Sequence, residues 1–529
     1  MVRSLRPRTL SAISAVLASV TMAATPGAAQ TPALDNDDIG GVVRSATGPE
    51  AGVWVIAETT ELPTKFTKIV VTDQQGRFVI PDLPKNVNYQ VWARGYGLID
   101  SPKRRVKTGQ SLQIMAVSAP DAASAAQYYP AIHWYAMMKI PPAKDFGGST
   151  DIPKNITQEL WRMRFNNTDC VGCHQLGQEA TRTVPAAFGS FKSGADAWMR
   201  RVGSGQTGEW MINRLAGELG GVPFKYLGDW TDRIAKGELP KSKPARPEGV
   251  ERNVVVTSWE WATEKHFVHD LISSDRRNPT VNAYGKLYGS PEYSTDEMPI
   301  LDPKTHTVSF FKMPVRDPDT PESLGPPLHP NATVNPINAS AYWGGEKIWS
   351  QKANNHNGMF DKKGRVWFAA AVRAIDNPDF CKKGSEHPSA KSFPLERSGR
   401  QVSMLDPATM KYSFIDTCFT THHPQFGYDA DDTLWLSGSG PVAGWVNTRI
   451  WEETGDAAKA QGWAPFVLDT NGQRITLPAT GTIVIGTDGS MRADDNPPFA
   501  TLGLAAFNDP RTELVGDLPN TYSAAAAPT

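Results

Sequence analysis

Two copies of one ten-residue pattern limit the fold of this chain more tightly than any other feature. Leu301-Asp302-Pro303-Lys304-Thr305-His306-Thr307-Val308-Ser309-Phe310 recurs 104 positions later (301 to 405) as Leu405-Asp406-Pro407-Ala408-Thr409-Met410-Lys411-Tyr412-Ser413-Phe414. In each, an Asp-Pro turn ends one strand and the next strand returns beside it. Leu468-Asp469-Thr470-Asn471-Gly472 reads as a third copy. A second pattern is interleaved with the first. Asn282 to Tyr288, Asp361 to Trp367 and Asp429 to Trp435 each carry an aromatic six positions after an Asx residue. Each reads as a polar turn that leads into a strand. Repeated four-stranded units of this kind predict a β-propeller over residues 246–529. The copies are unevenly spaced, 79 residues apart (282 to 361) and then 68 (361 to 429). A blade takes about 40–50 residues. Intervening blades have therefore lost the signal, or the blades carry insertions. The number of blades and the closure of the ring stay open.

The repeats resemble those of the streptogramin lyase-like (virginiamycin B lyase-like) propellers, which read D-x-x-G-x-x-W-F followed by a D-P-x-T-G turn. The resemblance implies histidine and glutamate acting with a divalent cation near the central channel. The histidines just before the turns are the catalytic candidates: His356 before Asp361, His422 and His423 before Asp429, and His269, beside Asp270, before the first copy. Strand starts of a propeller line its channel, so these side chains could converge. The other reading has His356 and His423 packing polar turns and bonding to backbone. No glutamate matches the lyase position, so lyase activity is not carried over. A divalent cation is compatible with these histidines, but no ligand spacing demands one.

Cys170-Val171-Gly172-Cys173-His174 is a C-x-x-C-H segment, the attachment sequence of c-type haem. Two thiols three positions apart can each form a thioether to the porphyrin. The adjacent His174 is placed to bind the iron as proximal ligand. A thioredoxin-like βαβ context, which a redox dithiol expects, is not visible. A second Cys or His pair for zinc does not follow at short range. One covalent haem c is therefore expected. Residues 153–245 read as mostly helical, with a capped helix at Ser193 to Val202, and resemble a small mono-haem cytochrome c domain. The sixth ligand decides the chemistry: Met favours electron transfer, and an open site admits small ligands. Met211 follows the loop-like Gly203 to Gly208 and is the candidate. Met199 lies inside an amphipathic helix, where core packing accounts for it.

Haem attachment expects export. Residues 1–29 read as a signal peptide: Arg3, Arg6 and Arg8, then an uncharged run from Leu10 to Ala24, then Gly27-Ala28-Ala29 before Gln30. The expected location is the periplasm. No later stretch reaches about 18 apolar residues, so no membrane span is expected in the mature chain. Lys plus Arg total 54 and Asp plus Glu 55, which suggests no nucleic-acid partner. Of four cysteines, two go to haem. Cys381 and Cys418 either pair as a disulfide, as an oxidising compartment favours, or remain as buried thiols.

Short strands separated by turns fill residues 36–118 and predict an antiparallel β-sandwich. Gly41-Val42-Val43, Ala51 to Val55, Thr72 to Phe78, Leu83-Pro84 and Gly95-Tyr96 resemble the carboxypeptidase regulatory-like (transthyretin-like) domain. No His is followed three positions later by Glu, so neither H-x-x-E nor H-E-x-x-H is present and a zinc carboxypeptidase is not expected. Residues 119–152 read as a connector. The chain is thus expected to be multidomain and mainly β: a β-sandwich, a small α-helical haem module and a C-terminal propeller. The expected function is electron transfer with a periplasmic redox partner, as a redox enzyme or its electron-transfer component. A lyase-like enzyme on a small cyclic or aromatic compound, and a carbohydrate or cell-wall binding scaffold, are the alternatives.

Overall fold

The computed structural model describes residues 32–465, apart from 149, 167–169, 264, 323–337, 428 and 437–441, together with the strands Ile483–Ile485 and Met491–Ala493. The expected signal peptide and the third Asp-turn copy at 468 lie outside the described residues.

The architecture is mainly β, with one helical segment between two β regions. In the N-terminal region Ile39–Ser45 pairs antiparallel with Arg77–Ile80 and parallel with Gln110–Met115. A second, antiparallel sheet runs in the order Val256–Trp259, Phe66–Val71, Trp54–Thr59, Tyr89–Arg94, Arg104–Val106. Both sheets bury a face in one core that includes Val43, Phe78, Ile80, Leu112, Val55, Phe66, Tyr89 and Val91. Phe66–Val71 shows the mechanism: alternate residues are buried, as a period of two requires when one face meets the core. The edge strand Val256–Trp259 comes from beyond the helical segment, so the chain returns to complete this sheet.

The helical segment is built on aromatic residues. Trp161, Phe165, Trp198 and Trp230 are buried in one cluster with Leu219, Phe224 and Leu227. The helices Gly194–Val202 and Val222–Ala235 touch at Gly194 and Gly228. A Cβ on Gly228 would lie 2.5 Å from the Ala195 backbone nitrogen, so only glycine permits this approach. Ser193 caps the first of these helices through the Asp196 N–H, 3.2 Å away. Met138 and Ile152 also lie in this core, and the Trp230 indole donates to the Trp134 carbonyl at 2.8 Å. The stretch read as a connector is therefore partly core.

Three four-stranded antiparallel sheets follow, each with strands in chain order. The first is Asp270–Ile272, Leu287–Ser290, Glu297–Asp302, Thr307–Lys312. The second is His356–Phe360, Val366–Ala370, Gln401–Asp406, Lys411–Ile415. The third is Pro424–Phe426, Leu434–Leu436, Val442–Val446, Gln461–Pro465. Their first strands pack side by side. Val366–Ala370 is buried along its whole length because it is covered on both faces. Phe368 joins the core shared with the first sheet, and its neighbour Trp367 joins the core shared with the third. Among the described residues these sheets close no ring.

The repeated patterns have a local cause. The Asp361 carboxylate accepts from the N–H groups of Lys363 and Arg365, both at 2.9 Å, from Arg365 Nε at 2.6 Å, and from the Trp367 indole at 2.9 Å. The last bond ties the aromatic six positions on to its turn in this copy, whereas in the first copy Asn282 donates to the Ser273 and Lys286 carbonyls at 2.7 and 2.9 Å. In the other repeat, Asp302 and Asp406 each accept a bond of 2.9 Å from the N–H two residues later. Both turns end on a left-handed residue, His306 and Met410, each with φ of 56°.

Candidate functional site

Four histidines converge at one end of the three C-terminal sheets. The topology puts them there. His269-Asp270, His356 and His422-His423 stand at the starts of the three first strands. In an antiparallel meander, the start of strand one, the end of strand two and the start of strand three share one edge. Glu292 follows the second strand of the first sheet, and Arg400 precedes the third strand of the second sheet. Both therefore reach the same cluster.

The His356 ring lies 4.8 Å from that of His269, 4.1 Å from that of His422 and 5.2 Å from that of His423, between centroids. His422 and His423 are 4.0 Å apart. His269 Nδ1 bonds to Asp270 Oδ2 at 2.8 Å. Glu292 is buried; its Oε2 lies 2.9 Å from His356 Nδ1 and its Oε1 2.5 Å from Arg400 Nη2. These approaches are close but bent, and neither Glu292 oxygen makes an aligned hydrogen bond. His356 is fully buried, and neither of its ring nitrogens makes one either. The Nδ1 of His422 is likewise buried without a hydrogen-bond partner. His423 is exposed and opens the cluster to solvent.

Burial, followed by the neighbouring imidazoles and Arg400, holds His422 far below the usual histidine range. Desolvation and then His356 lower His423 to about 4, because protein crowds this ring although solvent reaches it. Burial also lowers His356, against the pull of Glu292. Burial opposes charge on His269, but the Asp270 carboxylate outweighs it and raises the pKa. Glu292 is held at about 2: burial opposes ionisation, but Arg400 and His356 prevail. Burial thus favours the neutral imidazole on His356, His422 and His423, whereas Asp270 favours the charged form of His269.

All four candidate histidines are brought together, and neither ring nitrogen of His356 is engaged by backbone. Sequence reasoning did not place Glu292 or Arg400. Neither belongs to a repeat, and only the strand order brings them in.

The second site is in the helical segment. Cys170–Cys173 is a single helical turn, and the His174 N–H bonds to the Cys170 carbonyl at 2.9 Å. Residues at i and i+4 share a helix face, so Cys170 and His174 fall on one side. Cys170 packs against the aromatic core, and His174 is exposed by area. Protein close around its ring, and then Arg201, lower its pKa and so favour the neutral imidazole. Met211 lies on Gly208–Ile212 and packs on the same core, just before the π-helical turn Asn213–Glu218. Met199 is 50% exposed, which corrects the expectation that it is a core residue. The segment fits a haem on one further count. The Trp161 indole N–H and the Asn213 amide are buried donors without partners, and haem propionates are acceptors.

Cys381 and Cys418 form a disulfide, with Cα atoms 5.4 Å apart, buried between the second and third sheets. Among the described residues no helix is long and apolar enough to cross a membrane.

No family model matches the chain, and no curated protein matches it. Among solved structures it is similar to an extracellular domain assigned to a hybrid two-component system, BT4673 of B. thetaiotaomicron. The identity is 12% and the TM-score 0.16, over 48% of this chain and 34% of that one. A second structure of that domain, assigned to a one-component system, matches at 11% identity and a TM-score of 0.17, over 46% and 33%. The chain thus spans about a third of the length of these relatives, and likenesses of this size say nothing about fold or function.

Proposed function

We propose that this chain is a periplasmic multidomain c-type cytochrome that acts in electron transfer, as a redox enzyme or its electron-transfer component. Its parts would be a carboxypeptidase regulatory-like sandwich, a mono-haem module and a streptogramin lyase-like propeller. The observation that carries the proposal is the C-x-x-C-H turn on an aromatic helical core that contains unpartnered buried donors. Cys170 and Cys173 would hold the haem covalently, His174 would bind its iron, and Met211 is the proposed sixth ligand. When bound, the group supplies one-electron chemistry at a potential set by its axial ligands.

The surrounding residues support a link to the C-terminal sheets. The Gln206 side chain donates to the Trp349 carbonyl at 2.8 Å and accepts from its N–H at 2.7 Å. The Trp349 ring lies 6.3 Å from Phe267, and Phe267 lies 5.8 Å from His269. Hydrogen bonds from Gln206 to the Trp349 backbone, followed by two ring contacts, thus lead from the helical segment to the histidine cluster. The buried disulfide agrees with an oxidising compartment. A periplasmic redox protein is the proposed partner, met through a small transient interface.

Reduced-minus-oxidised spectra of protein exported to the periplasm test the proposal. A c-type spectrum is expected, with a thioether-to-iron band that Met211→Ala removes. A band unchanged in Met211→Ala would reject that ligand, and a spectrum without haem would reject the function. The histidine–carboxylate cluster favours a second reading, a lyase-like enzyme with a small cyclic or aromatic substrate. Metal-dependent ring opening that is lost in His423→Ala would promote it.

A further inference from the structure

The histidine cluster has a property that the haem reading does not use. Buried polar atoms are normally paired, because leaving one unpaired costs about 1–3 kcal/mol. Here both ring nitrogens of His356 and the Nδ1 of His422 are buried without an aligned partner. The two rings stack 4.1 Å apart. The ligating atoms of His356, His422 and His423 lie within 4.8 Å of one another, and so do those of His269, Asp270 and His356. A cation at this point would satisfy what the protein leaves unsatisfied.

We propose that His356, His422 and His423, with His269 as a fourth imidazole, hold one first-row transition-metal ion. The donor chemistry selects the class. Imidazole nitrogens suit iron, cobalt, nickel, copper and zinc, whereas magnesium and calcium take oxygen ligands. The carboxylates act as supports. Asp270 accepts from His269 Nδ1, the carboxylate–histidine pairing that orients metal-bound imidazoles. Glu292 stands behind His356 and is itself tied to Arg400. Exposed His423 gives the ion a route in from solvent. The site stands apart from Cys170, Cys173 and His174, so the proposal does not depend on the haem.

Cobalt(II) is the probe, because haem iron does not interfere with its measurement. The full-length exported protein is stripped with a chelator, dialysed against cobalt(II) or magnesium, and analysed for bound metal and Tm. The wild type is expected to retain a single equivalent of cobalt and to gain Tm with cobalt but not with magnesium. His423→Ala alters an exposed side chain and should fold normally, yet lose both effects. His422→Ala should lose them too, and His387→Gln, outside the cluster, should keep them. No retained cobalt, equal retention by wild type and His423→Ala, or equal stabilisation by magnesium would overturn the proposal.

Discussion

Asp361 gathers four donors on one buried carboxylate, and its turn depends on them: two backbone N–H groups, the Arg365 side chain and the Trp367 indole. Gly364, at φ 81°, supplies the left-handed step that lets the loop close around the carboxylate. Asp361→Ala would strand the Trp367 indole N–H and leave Arg365 with only Glu452. A loss of about 3 kcal/mol in denaturant unfolding is expected, from an orphaned buried donor and a broken ion pair. This device was legible in the sequence as a spacing of six, though the hydrogen bond behind the spacing was not. The histidines were legible for the same reason, since they flank the repeated turns. Glu292 and Arg400 were not, because each reaches the cluster only through the pairing of a strand with its neighbours.

Between elements, the close approaches set the tolerances. Alanine for glycine inside an exposed helix gains about 1 kcal/mol from propensity. At Gly228 the sign should reverse, because the new methyl would meet the Ala195 backbone. Gly228→Ala is expected to destabilise by about 2 kcal/mol in thermal or denaturant unfolding, by overpacking. The disulfide works on the other side of the balance. It closes a loop of 37 residues, worth about 3–4 kcal/mol on the chain-entropy model. The Cys381→Ala, Cys418→Ala double variant should lose stability of that order in denaturant unfolding. The sequence left open whether these thiols pair, because cysteine spacing alone does not set connectivity. The strand Val256–Trp259 was not legible either. Its partner Phe66–Val71 lies far back in the chain, and local alternation carries no record of such a return.

At the scale of the whole molecule, the order of parts was legible and their boundaries were not. Residues read as connector supply Met138 and Ile152 to the helical core, and Arg246 pairs with Glu50 of the N-terminal region at 2.6 Å. Boundaries fade where one module packs on the next, because the apolar pattern on both sides serves one interface. The resulting arrangement sets the C-x-x-C-H turn on a helical core flanked by β regions, and Gln206 of that segment bonds to the Trp349 backbone beside the histidine cluster. The central claim is that this turn carries a covalent haem in an exported chain. The intact mass of the mature protein, purified from the periplasm of a host that matures c-type cytochromes, tests it most directly. The predicted result is a chain beginning near Gln30 that carries the mass of one haem, and Cys170→Ala, Cys173→Ala protein without it. A mature chain of unmodified mass would contradict the account.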